Sequence, residues 1–323
     1  MKVFVTGGSG FIGSRVVDIL LEKQFDVMNY DLKTPTFERH ARHWRPGDVL
    51  DFPALSAAMV EFEPQMVIHL AAKAEIYEFE WSDFASIHQG TENLLKAIEQ
   101  YGKLDRLLNV STQLVIAPGY QPRSLLDFEP YTMYGEAKAY AESLLFQWRS
   151  PVHWVTVRPA NVWGPNHPSF AGAIWKYIGN RAYLHPDTRE PVMRSYGYVR
   201  NTAEQIVALA LHDPKQDTYR QVFYAADSVM DSAIWVDAFA QGLCGKPSRR
   251  IPSPVLKAMG LVGDISAKAG KRLPMDSGRA MRMTQSYPVP LQPTFDLIGP
   301  PQVGFDQGLA ESLEWLSSLK KAG

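Results

Sequence analysis

The sequence predicts an α/β protein with a doubly wound parallel sheet and a smaller C-terminal lobe. Short apolar runs recur over the first 160 residues without strict polar alternation, which is typical of strands buried on both faces. The segments between these runs carry apolar residues at helical spacing. Strand and helix therefore alternate, as they do in parallel sheets with helical crossovers.

Five apolar runs are predicted as strands, at residues 3–6, 26–31, 66–71, 107–111 and 153–158. Capping residues predict where most of the intervening helices begin. The first helix follows a glycine cluster, Asp51 or Pro53 opens the second, Ser82 caps the third, and the fourth begins near Thr132.

Domain boundaries follow from where this rhythm stops. Beyond Arg158, proline and aromatic residues become more frequent and the predicted elements become shorter. We expect residues 1–160 to form the first domain and residues 161–323 to form the second lobe. The strand-like residues 221–226 are expected to return to the first sheet.

The composition is that of a globular protein. Hydrophobic residues make up 46% and charged residues 21% of the 323 residues, and the net charge is −1. These values exclude disordered, collagenous and coiled-coil classes, and they predict no nucleic-acid partner. A single cysteine, Cys244, is typical of a reducing cytoplasm. No signal peptide or apolar stretch of ~20 residues is visible, so we expect a cytoplasmic protein without a membrane partner.

A glycine-rich segment joins the first predicted strand to the first predicted helix. It reads Thr6-Gly7-Gly8-Ser9-Gly10-Phe11-Ile12-Gly13. Glycines permit a tight turn and let backbone N–H groups and a helix N-terminus approach a pyrophosphate. A glycine turn without a ligand is the alternative, and the strand–turn–helix context favours a dinucleotide site.

Two acidic positions extend this interpretation. Asp31 ends the second predicted strand 18 residues after the last glycine of the loop, close to the ~20 expected for an acid that binds the adenosine ribose. Its carboxylate would repel a 2′-phosphate, which favours NAD over NADP, although Lys33 softens this exclusion. Asp48 and Val49 are candidates to hold the adenine, and a helix-cap region around Asp51 is the alternative.

A tyrosine and a lysine share one face of the fourth predicted helix, in Tyr134-Gly135-Glu136-Ala137-Lys138. A nearby ammonium favours tyrosinate, so we expect Lys138 to lower the pKa of Tyr134. Tyr134 would then exchange a proton with a substrate hydroxyl while a nicotinamide exchanges a hydride. Ser111-Thr112 ends a strand at the sheet edge where ligands bind, and one hydroxyl there would orient the same oxygen. Both patterns also occur as structural features, on amphipathic helices and in turns.

These motifs, in this order, resemble the extended short-chain dehydrogenase/reductase family, particularly its NAD-dependent epimerase/dehydratase branch. The best-known members of that branch act on sugar nucleotides. The resemblance covers nearly the whole chain and implies a Rossmann sheet that binds NAD and a substrate-binding C-terminal lobe. Further matching segments are His69-Leu70-Ala71-Ala72, Arg158-Pro159-Ala160-Asn161-Val162-Trp163-Gly164-Pro165, Arg194 with Tyr198-Val199, and residues 304–315.

The motifs and the resemblance together imply a set of site residues. The cofactor residues are Gly7, Gly10, Phe11, Ile12, Gly13, Asp31, Asp48, Val49, Leu70, Ala71, Ala72 and Lys138. By the resemblance Tyr134 is the acid/base and Lys138 tunes it. Thr112 is the assisting hydroxyl, with Ser111 as the alternative. Asn161 and Arg194 fall where family members contact a substrate pyrophosphate, and an ordinary surface arginine is the alternative for Arg194.

A homodimer through the helices of residues 82–100 and 132–148 is also implied by the resemblance.

Departures from the family pattern bear on the reaction. Dehydratases and decarboxylases of the branch carry an acid within two positions after the catalytic Thr, whereas this chain has Gln113 and Leu114. Ile87 stands where the family usually has Asn, and Asn201 stands where it usually has Asp. The first difference disfavours a dehydratase, and the other two weaken the assignment of a standard substrate pose.

Two other clusters compete for a functional role. His40 and His43 with Asp48 match no zinc motif, so we expect solvated loop histidines and no metal site. The aromatic run over residues 77–81 suggests a wall beside the nicotinamide, with core packing or a surface loop as alternatives.

The leading hypothesis is an NAD-dependent epimerase of a nucleotide sugar, which oxidises a hydroxyl and returns hydride to the opposite face. One alternative is a net NAD(P)-dependent dehydrogenase or ketoreductase of a keto-sugar nucleotide or a sterol-like alcohol. A non-catalytic dinucleotide sensor is the third.

Overall fold

The computed structural model describes residues 1–74, 80–168, 174–212, 219–271 and 273–322. Residues 320–322 are described by their backbone only. The strands are β1 (Lys2–Thr6), β2 (Asp26–Asp31), β3 (Trp44–Pro46), β4 (Met66–His69), β5 (Arg106–Val110), β6 (His153–Pro159), β7 (Val162–Trp163), β8 (Leu184–Asp187), β9 (Met193–Tyr198), β10 (Gln221–Ala225), β11 (Ser228–Asp231) and β12 (Arg249–Pro252). The helices are α1 (Phe11–Glu22), α2 (Phe52–Phe62), α3 (Ala85–Tyr101), α4 (Met133–Gln147), α5 (Trp175–Gly179), α6 (Val199–Leu211), α7 (Ser232–Cys244), α8 (Ser253–Lys268), α9 (Ser277–Thr284), α10 (Gln292–Ile298) and α11 (Phe305–Ala322).

Seven parallel strands form the main sheet, in the order β10-β6-β5-β4-β1-β2-β3. The chain moves outward from β1 to β3 and then returns to β4 on the other side of β1. This reversal leaves a crevice at the carboxyl ends of β1 and β4, where Thr6 pairs with His69. Ligands of doubly wound sheets bind at such a crevice. The predicted fold class is confirmed.

The central strand buries side chains on both faces of the sheet. Val3 and Val5 pack in one apolar layer with residues of α1 and α6. Phe4, between them, packs in the other layer with residues of α2 and α3. All three side chains are fully buried. Helices therefore cover both faces, and the ends of the strands are left to hold polar groups.

Local caps explain where the helices begin. The Asp51 carboxylate accepts the Ala54 N–H at 3.1 Å before α2, and the Thr132 hydroxyl accepts the Gly135 N–H at 3.0 Å before α4. The predicted cap of the third helix at Ser82 is wrong. Glu80 and Asp83 form a reciprocal capping box around a 3₁₀ turn, and α3 begins only at Ala85.

The chain forms two compact units. The first comprises Met1–Val162, Gly197–Asp227 and Pro290–Val303, and the second comprises Trp163–Tyr196, Ser228–Val289 and Gly304–Gly323. Residues 197–227 and 290–303 thus belong with the first unit, although they fall within the range 161–323 expected for the lobe.

The second unit contains the parallel pair β12-β8 and most residues of a small sheet in the order β11-β9-β7. Its aromatic cluster includes Trp175 and Phe239, with ring centroids 3.9 Å apart, and Tyr196 stacked on Trp235 at 4.9 Å. None of the described helices is both long enough and apolar enough to cross a membrane.

Candidate functional site

The loop between β1 and α1 requires glycine at two positions. Gly7 has φ +75°, and a Cβ there would lie 2.6 Å from the Ala71 nitrogen. A Cβ on Gly13 would collide with the Gly7 carbonyl oxygen. Gly10 precedes α1, where no side chain caps the helix and no acid lies in the first turn. The helix N-terminus therefore suits an anionic group such as the pyrophosphate of a dinucleotide.

The Asp31 carboxylate ties the end of β2 to this loop. One of its oxygens accepts the Ser9 N–H at 2.9 Å and the other accepts the Lys33 N–H at 2.9 Å. The Ser9 hydroxyl in turn accepts a hydrogen bond from the Asn29 amide at 3.0 Å. A carboxylate offers about four acceptor positions, so Asp31 retains capacity to bind ribose hydroxyls.

Asp48 and Val49 follow β3. The Asp48 carboxylate accepts the Leu50 N–H at 2.9 Å and is half-buried. Val49 is 5% exposed because its side chain lies against Gly90 of α3, and its carbonyl accepts the Asn93 amide at 3.0 Å. Only a small part of the Val49 side chain is thus available to an adenine ring.

The residues after β4 cross the glycine loop. The Leu70 N–H donates to the Thr6 carbonyl at 2.9 Å, and the Ala71 N–H donates to the Thr6 hydroxyl at 3.3 Å. Ala72 packs in the apolar cluster that contains Tyr134. This segment therefore connects the dinucleotide loop to the candidate acid/base.

Tyr134 lies in the first turn of α4 and hydrogen-bonds the Thr112 side chain. Burial raises the pKa of Tyr134 to about 12, and the hydrogen bond with Thr112 partly offsets this increase. The prediction that Lys138 lowers this pKa is wrong for this structure, because burial of the phenol dominates. Tyr134 is therefore protonated at neutral pH and can donate a proton to a substrate oxygen.

Thr112 and Ser111 make different contacts. The Ser111 N–H bonds the Val157 carbonyl at 2.7 Å, and its buried hydroxyl has no hydrogen-bond partner among the described residues. Thr112 caps the following 3₁₀ turn by accepting the Leu114 N–H at 3.3 Å. Of the two hydroxyls, the one on Thr112 is the one that contacts Tyr134.

Lys138 lies one turn after Tyr134 and is 5% exposed. Its ammonium donates to the Val110 carbonyl at 2.7 Å. Burial lowers the pKa of Lys138 to about 8, and the negative charge of Glu142 opposes this shift. Glu142 itself is held by a buried two-pronged ion pair with Arg158, at 2.9 and 2.7 Å.

Sequence reasoning missed a buried polar chain beneath the loop. The Thr6 hydroxyl lies 2.7 Å from His69 Nδ1, and His69 Nε2 lies 3.2 Å from the Thr91 hydroxyl. Burial, with a smaller contribution from the Lys138 charge, lowers the pKa of His69 to about 3. The imidazole is therefore neutral and connects β1, β4 and α3. The available signal was a histidine at the end of an otherwise apolar strand.

Gln113 and Leu114 stand at the positions where a dehydratase of the family would carry an acid. Gln113 is 3% exposed, and Leu114 packs against the cluster around Tyr134. Ile87, which replaces the usual Asn, belongs to the same cluster. Asn201, which replaces the usual Asp, donates to the Val303 carbonyl at 2.8 Å and accepts the Val303 N–H at 2.9 Å. An Asp could not make both of these bonds while ionised.

The two candidate substrate residues are in different units. Asn161, in the first unit, has φ +38°, and its backbone carbonyl accepts the Gly197 N–H at 3.4 Å. Arg194, in the second unit, donates to the Gln285 carbonyl at 3.3 Å and is half-buried. Its charge opposes the burial that raises the pKa of Tyr183 to about 12.

His40 is not solvated as expected. Its ring is fully buried, and Nε2 lies 2.6 Å from the Asp18 carboxylate. No cluster of His, Cys, Asp or Glu in the described part of the chain is arranged to hold a metal ion. Most of the predicted aromatic wall lies outside the described residues, since 75–79 are not described.

Comparisons with known proteins identify the family of this chain. The sequence profile of the NAD dependent epimerase/dehydratase family matches residues 3–222. The chain is 25% identical over 275 residues to a 3 beta-hydroxysteroid dehydrogenase/Delta 5-->4-isomerase of Mycobacterium tuberculosis, covering 79% of this chain and 73% of the relative. It is also 25% identical over 288 residues to an N-acetyl-alpha-D-glucosaminyl-diphospho-ditrans,octacis-undecaprenol 4-epimerase of Escherichia coli O157:H7, covering 87% and 85%.

The structure of a UDP-glucose 4-epimerase of Thermotoga maritima with UDP-glucose aligns over 99% of this chain and 100% of that chain. The TM-score is 0.76 and the identity is 20%, so this likeness shows the fold. The family match confirms the predicted family, an enzyme class and NAD as cofactor, and the glycine loop and Asp31 fit that dinucleotide. The chain therefore belongs to the NAD dependent epimerase/dehydratase family.

Proposed function

We propose that this protein is an NAD-dependent epimerase of a nucleotide sugar that works through a transient ketone. The observation that carries the proposal is the buried contact between Tyr134 and Thr112, with Lys138 one helical turn away. A proton-transfer group beside an orienting hydroxyl at the sheet edge supports a site there for a substrate carbinol.

The proposed reaction needs one group that accepts a proton in the oxidation step and donates it again in the reduction step. NAD, when bound by the glycine loop and Asp31, supplies a reversible hydride acceptor. Thr112 orients the substrate oxygen, and Tyr134, in its ionised form, takes the hydroxyl proton during oxidation and returns it during reduction. Burial opposes the ionised form of Tyr134 that oxidation requires, and the hydrogen bond with Thr112 favours it.

Residues after Thr112 favour epimerisation over elimination. Loss of a hydroxyl as water requires an acid to protonate the leaving group. Gln113 and Leu114 supply no carboxylate at the positions where the resemblance expects one. The ketone would therefore be reduced again, on its opposite face, and not dehydrated.

A pyrophosphate-linked sugar fits Arg194 as a binding group, because a guanidinium forms paired hydrogen bonds with phosphate oxygens. The Escherichia coli relative is named for a sugar joined to its carrier by a diphosphate. Replacing Arg194 with Gln should weaken binding of every nucleotide sugar tested. Unchanged affinity would favour a substrate without a pyrophosphate.

The second candidate function is net oxidation of a sterol-like alcohol. It is favoured by the hydroxysteroid dehydrogenase relative, which is as similar to this chain as the epimerase relative. Such an enzyme must release NADH after each turnover. An epimerase reuses its cofactor within the turnover and has no such requirement.

We infer a cytoplasmic homodimer through α3 and α4. Support for the dimer comes from an aromatic surface on these helices and on the 3₁₀ turn before α3: Trp81, in that turn, is 40% exposed and stacks on His88 at 4.4 Å, and Tyr140 is 39% exposed. Cys244 is a free thiol, which accords with a reducing compartment. Sedimentation of wild type and Tyr140→Glu would test the dimer.

The experiment that tests the function is identification of the nucleotide released when the purified protein is denatured, followed by a search for interconversion of nucleotide-sugar epimers. Near-stoichiometric NAD and interconversion without net NADH support the epimerase. An empty protein that reduces free NAD with a hydroxysteroid supports the second candidate. Bound NAD without conversion of any nucleotide sugar or alcohol tested would favour the non-catalytic dinucleotide sensor.

A further inference from the structure

Helix α8 in the second unit buries its small residues and exposes its large apolar ones. Its buried positions are Leu256, Gly260 and Gly263. A Cβ on Gly260 would lie 3.0 Å from the Ser277 Cα, and one on Gly263 would collide with the Met275 carbonyl. The two glycines therefore let α9 and the segment before it approach α8 closely.

The opposite side of α8 is an apolar face exposed to solvent. At 100° per residue its members lie within one arc together with Pro254, Ala258 and Ser266, and Lys257 and Lys268 border this arc on one side. Both lysines are exposed. The apolar face consists of Val255, Met259, Leu261, Val262 and Ile265, whose exposed fractions are 48%, 39%, 61%, 57% and 68%. Burial on folding stabilises these side chains little, because they stay largely exposed to water. Burial against a binding partner would explain why these positions are apolar.

The sequence around α8 is strongly basic. Residues 246–282 contain nine Lys and Arg and two Asp, whereas the whole chain has a net charge of −1. Both acids are engaged in local caps: Asp264 accepts the Ser277 N–H at 3.1 Å, and Asp276 accepts the Arg279 N–H at 2.7 Å. Arg250 is paired with Asp237 at 2.7 Å and Arg279 with Asp276 at 3.4 Å, and the remaining cations still leave this segment positively charged.

We propose that the apolar face of α8 docks on a lipid bilayer that contains anionic phospholipid. An interfacial helix inserts apolar side chains at the headgroup boundary while nearby Lys and Arg bind anionic headgroups. Two copies of the same surface would bring like charges together, which disfavours a second copy as the occupant. The proposal does not depend on which hydroxyl the enzyme oxidises, and it replaces the expectation of no membrane partner.

The test is flotation of the full-length protein, with its released-nucleotide content measured, on vesicles of phosphatidylglycerol and phosphatidylcholine and on vesicles of phosphatidylcholine alone. We expect binding to the anionic vesicles, weakened by salt. The triple variant Leu261→Gln/Val262→Gln/Ile265→Gln should lower the partition coefficient about tenfold or more. Lys257→Glu/Lys268→Glu should lower it on anionic vesicles.

The matched control is Val60→Gln on α2, which changes an exposed apolar residue of the first unit, 53% exposed, and should bind as wild type does. Thermal unfolding of each variant shows whether its fold is retained. Absence of wild-type binding to anionic vesicles would overturn the proposal, as would equal binding of the folded triple variant. Concentration-dependent association that the triple variant abolishes, without vesicle binding, would instead assign the face to a contact between copies.

Discussion

The Lys138 ammonium donates a hydrogen bond to the Val110 carbonyl at 2.7 Å and thereby fastens α4 to the end of β5. Two residues after Val110, Thr112 bonds Tyr134, which lies one turn before Lys138 on α4. The helix and the strand end are thus joined at two points. The position of Tyr134 relative to Thr112 depends on both contacts, so Lys138 has a positional role besides its charge.

Replacing Lys138 with Met should change how stability depends on pH. The pKa of Lys138 is about 8 in the folded protein against an ordinary value of 10.5, so the unfolded chain holds this proton more tightly. Between these values wild type should gain about 1.4 kcal/mol of unfolding free energy per pH unit relative to the variant. Urea unfolding at several pH values measures this difference. Lys96→Met, at an exposed position, should run parallel to wild type throughout.

His69 predicts acid sensitivity of the first unit. Its pKa falls from 6.5 to about 3 on folding, so the unfolded chain takes up a proton that the folded chain does not. Stability should therefore fall by about 1.4 kcal/mol per unit as pH drops from 6.5 towards 3. His69→Gln should lose this component of the pH profile in thermal unfolding. A variant as acid-sensitive as wild type would show that His69 is not the group responsible.

Asp31→Asn removes the charge but keeps an oxygen that can accept the Ser9 N–H. A hydrogen bond to a charged group contributes roughly 1.5–3 kcal/mol, so affinity for NAD should fall about 10- to 100-fold while discrimination against NADP decreases. Calorimetric titration of protein stripped of nucleotide measures both constants. Asp51→Asn, which preserves the cap of α2, should bind NAD as wild type does.

Arg158→Met should strand the buried Glu142 carboxylate and lower the unfolding free energy by about 3–5 kcal/mol. Arg158→Met/Glu142→Met should be less destabilised than the single variant, since the Glu142 carboxylate is no longer buried without Arg158. Chemical unfolding of the three proteins tests this order. A double variant less stable than Arg158→Met would mean that Glu142 contributes to stability through a group other than Arg158, such as the nearby Lys138 ammonium.

Local patterns sufficed for six of the seven strands of the main sheet, and the three-residue strand β3 was not predicted. Continuous apolar runs identified the buried strands, and the glycine loop and Asp31 depend on spacing along adjacent segments. The beginning of α3 was misplaced because Glu80 and Asp83 form a capping box that competes with Ser82. Such a choice depends on two side chains meeting, which a capping preference alone does not reveal.

Contacts between segments far apart in the chain could not be predicted from the sequence. His69 meets Thr6 because of the register between β1 and β4, 63 residues apart in the chain. The pKa of Tyr134 was predicted in the wrong direction because burial, set by packing around Phe84 and Ile87, outweighs the nearby ammonium. The outward apolar face of α8 likewise follows from which side of the helix its glycines press against α9.

The most direct test of the proposed chemistry is Tyr134→Phe, with Tyr140→Phe on the same helix as the matched control. The variant keeps the ring in its apolar cluster and removes the hydroxyl that bonds Thr112. Turnover of the substrate found for wild type should fall about 10²- to 10⁴-fold, with NAD content unchanged. Tyr140→Phe should retain its activity. A Tyr134→Phe protein that turns over as fast as wild type would contradict the assignment of Tyr134 as the acid/base.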